Sequence, residues 1–104
     1  MGGGRRKGEL SKSAIDHGWP FQVAVHESVI AGRNYVTVHL WIDGEGLSLC
    51  RLGHAFYRDG SYHNVLCFAE REHAERFHAK FGGEMMTPET RPRWPNKPPR
   101  GRRK

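Results

Sequence analysis

The chain predicts an α+β domain of order βαββαβ, a ferredoxin-like arrangement in which a four-stranded antiparallel sheet carries two helices on one face. Three observations carry this reading. Tyr62 to Met86 reads as strand, helix, strand. Asp59-Gly60 joins two apolar runs as a hairpin turn. An earlier strand, Phe21 to His26, is followed by a stretch, Asn34 to Gly46, that makes a second crossover if it is helical.

Taken in order, Met1 to Lys12 is rich in Gly, Lys and Arg and lacks the apolar run of a signal peptide. Gly18-Trp19-Pro20 opens the fold. Phe21, Val23 and Val25 then alternate with Gln22, Ala24 and His26, the pattern of a half-buried strand with His26 on the outward phase.

Asn34 to Gly46 carries two patterns. Val36, Val38, Leu40 and Ile42 alternate as in a strand, and β-branched residues favour that conformation. Read as a helix, Asn34 is the N-cap, Tyr35, Val38, Trp41 and Ile42 form a face, and Gly44 or Gly46 ends it. The helix is adopted because it makes the whole chain consistent with two crossovers onto one sheet.

Leu47 to Arg58 and Ser61 to Ala69 form the next strand pair, with Gly53 marking a bulge or bend. Glu70 to Phe81 switches to helical period: Ala74, Phe77, His78 and Phe81 share a face, and Glu72 and Arg76 are spaced to pair. Gly82-Gly83 stops this helix, and Glu84-Met85-Met86 returns as a short strand. From Thr87 the composition changes. Five of the six prolines lie between Pro88 and Pro99, interleaved with Arg91, Arg93, Trp94 and Lys97, as in a polyproline-like arm. The expected division is a basic tail over residues 1–16, one domain over 17–87 and a basic arm over 88–104.

The charge follows that division. Residues 1–12 hold four basic residues and one acid, residues 91–104 seven basic residues and no acid, and residues 13–90 six basic residues against ten acids. The net +6 therefore hides a mildly acidic domain between two basic flanks. With 37% apolar residues the core is small, and a homodimer would add buried area. No apolar run reaches the roughly 18 residues of a membrane helix, so a cytoplasmic protein with free thiols at Cys50 and Cys67 is expected.

Candidate chemistry is sparse. Cys50, His54, His63 and Cys67 flank the hairpin with metal-like residue types. Strand positions four apart stand about 13 Å from one another, whereas zinc requires all donors within about 2.0–2.3 Å. A thiol site at Cys67 with His63, His26 or His54 has suitable residue types but no marked oxyanion hole. No phosphate loop or spaced carboxylate pair is present, so no enzyme, cofactor or metal is expected. The third strand, Asn64 to Ala69, lacks the aromatic signature of an RNA-recognition sheet. The basic arm is the better candidate: Arg91, Arg93, Trp94, Lys97, Arg100, Arg102, Arg103 and Lys104 suit contact with nucleic acid or an acidic protein. Trp94 equally suits folding back onto the domain. The alternatives are a dimerisation module using the open sheet face, and a thiol- or metal-dependent site near Cys67.

The segments HGWPFQVAV, GLSLCRLGHAFYRDG, CFAEREHAERFHAKFGGEMM and RPRWP resemble a group of short uncharacterised proteins of rhizobia and related alphaproteobacteria, over about residues 17–95. The resemblance implies an amphipathic helix over Asn34 to Gly46 and a cytoplasmic setting. It implies no activity, ligand or catalytic residue.

Overall fold

In the computed structural model, residues 11–92 are described. Ser11 caps the first helix, α1 (Lys12–Gly18), by accepting a hydrogen bond from the Ala14 amide at 3.0 Å. Then follow β1 (Phe21–His26), one 3₁₀ turn (Glu27–Val29), α2 (Arg33–Glu45), β2 (His54–Arg58), β3 (Ser61–Phe68), α3 (Arg71–Phe81) and β4 (Glu84–Met86). The strands form one open sheet in the order β2-β3-β1-β4, and each neighbouring pair is antiparallel. The architecture is α+β, with three helices among the described residues.

The stretch from Arg33 to Glu45 is helical despite its β-branched residues. In a strand Val36, Val38, Leu40 and Ile42 would share one face. In the helix only Val38 and Ile42 turn inward, each 2% exposed, against Val23, Leu66, Phe68 and Phe77. Burying two such side chains contributes about 1.5–3 kcal/mol each. The helix-propensity loss at each β-branched position is below about 0.7 kcal/mol, so packing decides. Two details differ from expectation. The helix starts after Gly32, and Asn34 instead donates its side-chain amide to the Ser28 carbonyl at 3.0 Å. Tyr35 is exposed, because the core side of the helix is centred on Val38 and Ile42. Gly46, in the left-handed region, ends α2.

The third helix follows its sequence pattern, with Ala74 and Phe77 fully buried and Phe81 packed beside them. Arg76 does not pair with Glu72. It reaches Glu45 at the end of α2, at 2.5 Å, because the two helices lie side by side on the sheet. His73 of α3 accepts from the Ser48 amide at 2.9 Å, and Ser48 Oγ in turn accepts from the Ala69 amide.

The opposite face of the sheet is not left open along its length. The helix α1 lies in the stretch expected to be tail, because Ile15 and Trp19 bury against Ala24, Phe56, Val65, Cys67 and Met86. Consequently β1 is buried on both sides, and Gln22 and Ala24, expected outward, are 0% and 3% exposed. Residues 47–53 are not a continuation of β2. Their backbone pairs with β3 at the isolated Leu49–Phe68 bridge, Cys50 packs against Val65 and Cys67, and the chain then bends at Gly53, where a Cβ would stand 2.4 Å from the Val65 carbonyl oxygen. The hairpin turn is as expected, with Asp59 and Gly60 both at positive φ. No helix among the described residues is long and apolar enough to cross a membrane.

Candidate functional site

Four side chains from four parts of the chain meet where α1 crosses the sheet. Ile15 anchors the helix, which places Asp16 over the start of β1. Gln22 stands near the start of β1 and His54 at the start of β2. Arg91 arrives through a turn closed by hydrogen bonds from the Thr90 and Arg91 amides to the Thr87 carbonyl, at 3.1 and 2.9 Å. The expected boundary at residue 87 therefore falls short: the chain stays attached to the domain through Arg91.

Asp16 is the hub. Its Oδ1 accepts from Arg91 at 2.7 Å, from His54 Nε2 at 2.9 Å and from Gln22 Nε2 at 3.0 Å, while Oδ2 accepts from Arg91 at 3.1 Å. Gln22 also donates to the Trp19 carbonyl and accepts from Arg91 at 2.9 Å. Each polar group of this buried amide is thereby engaged, which offsets its desolvation. A carboxylate can only accept, so His54 carries its proton on Nε2.

The electrostatics match this geometry. Burial alone would raise the Asp16 carboxyl. The hydrogen bonds from Arg91 and Gln22, with the Arg91 and His54 charges, outweigh it and bring the pKa down to about 2. Burial and the Arg91 charge push His54 below its ordinary value of 6.5, against the pull of Asp16. At neutral pH the cluster is one carboxylate, one guanidinium, one neutral imidazole and one amide. It is balanced and hydrogen-bonded, the make-up of a clamp.

The two cysteines lie beside it, buried and opposed, with the Cys50 amide donating to the Cys67 carbonyl at 2.8 Å. Burial, and then Cys50, push the Cys67 thiol up to about 12, the reverse of what a nucleophile needs. Cys67 Sγ donates to the Val65 carbonyl at 3.7 Å. His63 is not beside these thiols. It stacks on Phe56 and meets His26 edge-on further along the sheet, and its buried Nδ1 has no hydrogen-bond partner. The Cys50, His54, His63 and Cys67 constellation is thus divided between three environments.

Beyond α1, the second sheet face is crossed by an ion pair between Arg58 and Glu84 at 2.7 Å, with the Arg58 guanidinium over the Phe56 ring. A cleft of about 430 Å³ opens between Tyr35 and His39 of α2 and the bend at 49–53, with Lys12, Arg51 and His54 along it. No Asp or Glu lines it.

Of the residues expected to contact a polyanion, Arg91 is turned inward with its side chain 15% exposed. Arg93, Trp94, Lys97, Arg100, Arg102, Arg103 and Lys104 lie outside the described residues. Sequence reading missed Asp16 and Gln22. The available signal was Ser11 as an N-cap, followed by the Ile15–Trp19 spacing of one helical turn. Comparison of the chain with protein-family models, curated proteins and solved structures finds no match.

Proposed function

We propose that this protein is a small non-enzymatic binding module, cytoplasmic, whose basic flanks engage nucleic acid through its phosphates. The observation that carries the reading is the Arg91–Asp16 pair, which joins the start of the C-terminal basic segment to the helix that follows the N-terminal one. Ser11 and Asp16 are separated by only about 8 Å of helix. Ser11 and Arg91, next to which the two basic sequences begin, therefore stand near one another, at one place on a mildly acidic body. The cleft bordered by Lys12, Arg51, Tyr35 and His39 adds aromatic surface for stacking.

The βαββαβ series after α1, with strand order β4-β1-β3-β2 read from the other edge, supports a ferredoxin-like assignment to which α1 is an addition. The resemblance to short proteins of rhizobia and related alphaproteobacteria brings no activity with it. The raised Cys67 thiol and the engaged His54 support the non-enzymatic reading over a thiol- or metal-dependent site.

The test is fluorescence anisotropy with random single- and double-stranded oligonucleotides at low and moderate salt. The full chain is compared with a variant in which Arg93, Lys97, Arg100, Arg102, Arg103 and Lys104 are replaced by Ser. The expected result is binding by the full chain that weakens about a thousandfold between 50 and 200 mM salt, and its loss in the variant. Binding that ignores salt, or that the variant retains, overturns the reading. Binding to an acidic protein but not to oligonucleotide reassigns the partner.

A further inference from the structure

The side of α2 that faces away from the core carries an ordered stripe. Arg33, Val36, Leu40 and Asp43 recur at spacings of three, four and three, one line along a helix. Val38 and Ile42 define the inward side, and the stripe lies opposite it. Val36 is 58% and Leu40 66% exposed, whereas most large apolar side chains of this small domain are buried or half-buried. Arg33 and Asp43 are exposed, and neither forms an ion pair among the described residues. Other charged side chains do pair within the fold, as in Arg76 with Glu45 at the end of α2 and Arg91 with Asp16 of α1.

The stripe has an internal symmetry. Val36 and Leu40 stand two residues either side of Val38, and Arg33 and Asp43 five residues either side. It has one sign of charge at one end, the opposite sign at the other, and two aliphatic side chains between. A surface of this kind is its own complement under a twofold rotation, because antiparallel alignment brings unlike ends together. The three-four-three spacing is also that of the apolar seam between packed helices.

We infer that α2 is the contact of a twofold homodimer, in which two α2 helices pack antiparallel with the axis passing at the level of Val38. In that register Val36 meets the partner's Leu40 and Arg33 meets the partner's Asp43, each contact occurring twice. The occupant is a second copy of this chain. A parallel pairing is disfavoured, since it sets Arg33 against the partner's Arg33 and Asp43 against the partner's Asp43. The arrangement uses Arg33, Val36, Leu40 and Asp43, not Tyr35 and His39 of the cleft, and leaves the Asp16–Arg91 clamp and the second sheet face uncovered.

The experiment is sedimentation velocity with light scattering on the full chain, from low to high micromolar concentration at moderate salt. The expected species has twice the 11.9 kDa chain mass. Leu40→Asp is expected to raise the dissociation constant by at least about tenfold while the circular dichroism stays unchanged, since Leu40 makes no core contact. Arg33→Asp is expected to weaken the dimer about threefold, and the double variant Arg33→Asp/Asp43→Arg to restore it. Restoration in the swapped chain identifies the antiparallel register, because both replaced charges then meet across the axis. A chain that stays at single mass at every concentration, a dimer indifferent to Leu40→Asp, or a swap without restoration overturns the inference.

Discussion

The guanidinium of Arg91 holds the carboxylate of Asp16 by two near-parallel hydrogen bonds, 2.7 and 3.1 Å long, across 75 residues of chain. The bidentate geometry is the strongest form of this ion pair. Here both partners are largely shielded, with side chains 15% and 22% exposed. The pair fixes α1 over the sheet and returns the chain after β4 to the same place.

Removing the hub of this cluster is costly. Asp16→Ala leaves the Arg91 guanidinium and the Gln22 amide without their acceptor, and a loss of about 2–4 kcal/mol is expected in urea unfolding. A cycle with Arg91→Ala should return a coupling of about 1–3 kcal/mol. Purely additive losses at the two sites would contradict the pairing.

The same cluster sets the acid limb of stability. The Asp16 carboxyl titrates at 3.8 when unfolded and at about 2 when folded, so its contribution is complete above about pH 4 and is lost as pH falls toward 2. His54 titrates below its ordinary 6.5 in the fold, so the unfolded chain takes up its proton first. Stability should therefore begin to fall as pH drops below 6.5 and fall again below about 4. In His54→Gln the first decline should disappear while the second remains, as read from urea midpoints against pH.

Two glycines should respond in opposite directions. A Cβ at Gly83, where φ is +99°, would stand 2.5 Å from the Ala24 carbonyl and 2.8 Å from a Val25 methyl. Gly83→Ala is expected to cost about 3 kcal/mol, from the backbone conformation and the clash together. Gly44 lies inside α2 with open space where its Cβ would be. Gly44→Ala should stabilise by about 0.5–1 kcal/mol. Thermal melts of the two variants check both signs.

The thiols should be silent in the native state. Cys50 and Cys67 are buried, and Cys67 is raised to about 12, so almost none of it is thiolate at pH 8. A disulfide reagent is expected to modify neither at an appreciable rate until denaturant is added, after which both react. Fast labelling of native protein would reopen a thiol-based role.

Much of the local structure was legible because one pattern dominated each stretch. The helix Arg71–Phe81 announced itself through Ala74, Phe77 and Phe81, with Gly82 to end it, and Asp59-Gly60 marked its turn unaided. Residues 33–45 were ambiguous, since Val36, Val38, Leu40 and Ile42 fit both periods. Consistency with a second crossover onto one sheet favours the helix there, and local propensity favours the strand. Residues 47–53 misled, because an apolar run with one Gly looks like strand, and the close approach of Gly53 to the Val65 carbonyl, which leaves no room for a Cβ, joins residues twelve apart in the chain.

The sequence by itself determined the strands Phe21–His26 and Ser61–Phe68, the helix Arg71–Phe81, the hairpin, the unequal placement of charge and the absence of a membrane-length apolar run. These depend on residues near one another in the chain, where period, propensity and turn chemistry act locally. Only the tertiary structure decided that Asp16, Gln22, His54 and Arg91 meet, that β1 is covered on both faces, and that Val36 and Leu40 face solvent. Those outcomes depend on which distant surfaces come together, and a helix of seven residues such as α1 is marginal until Ile15 finds the sheet beneath it.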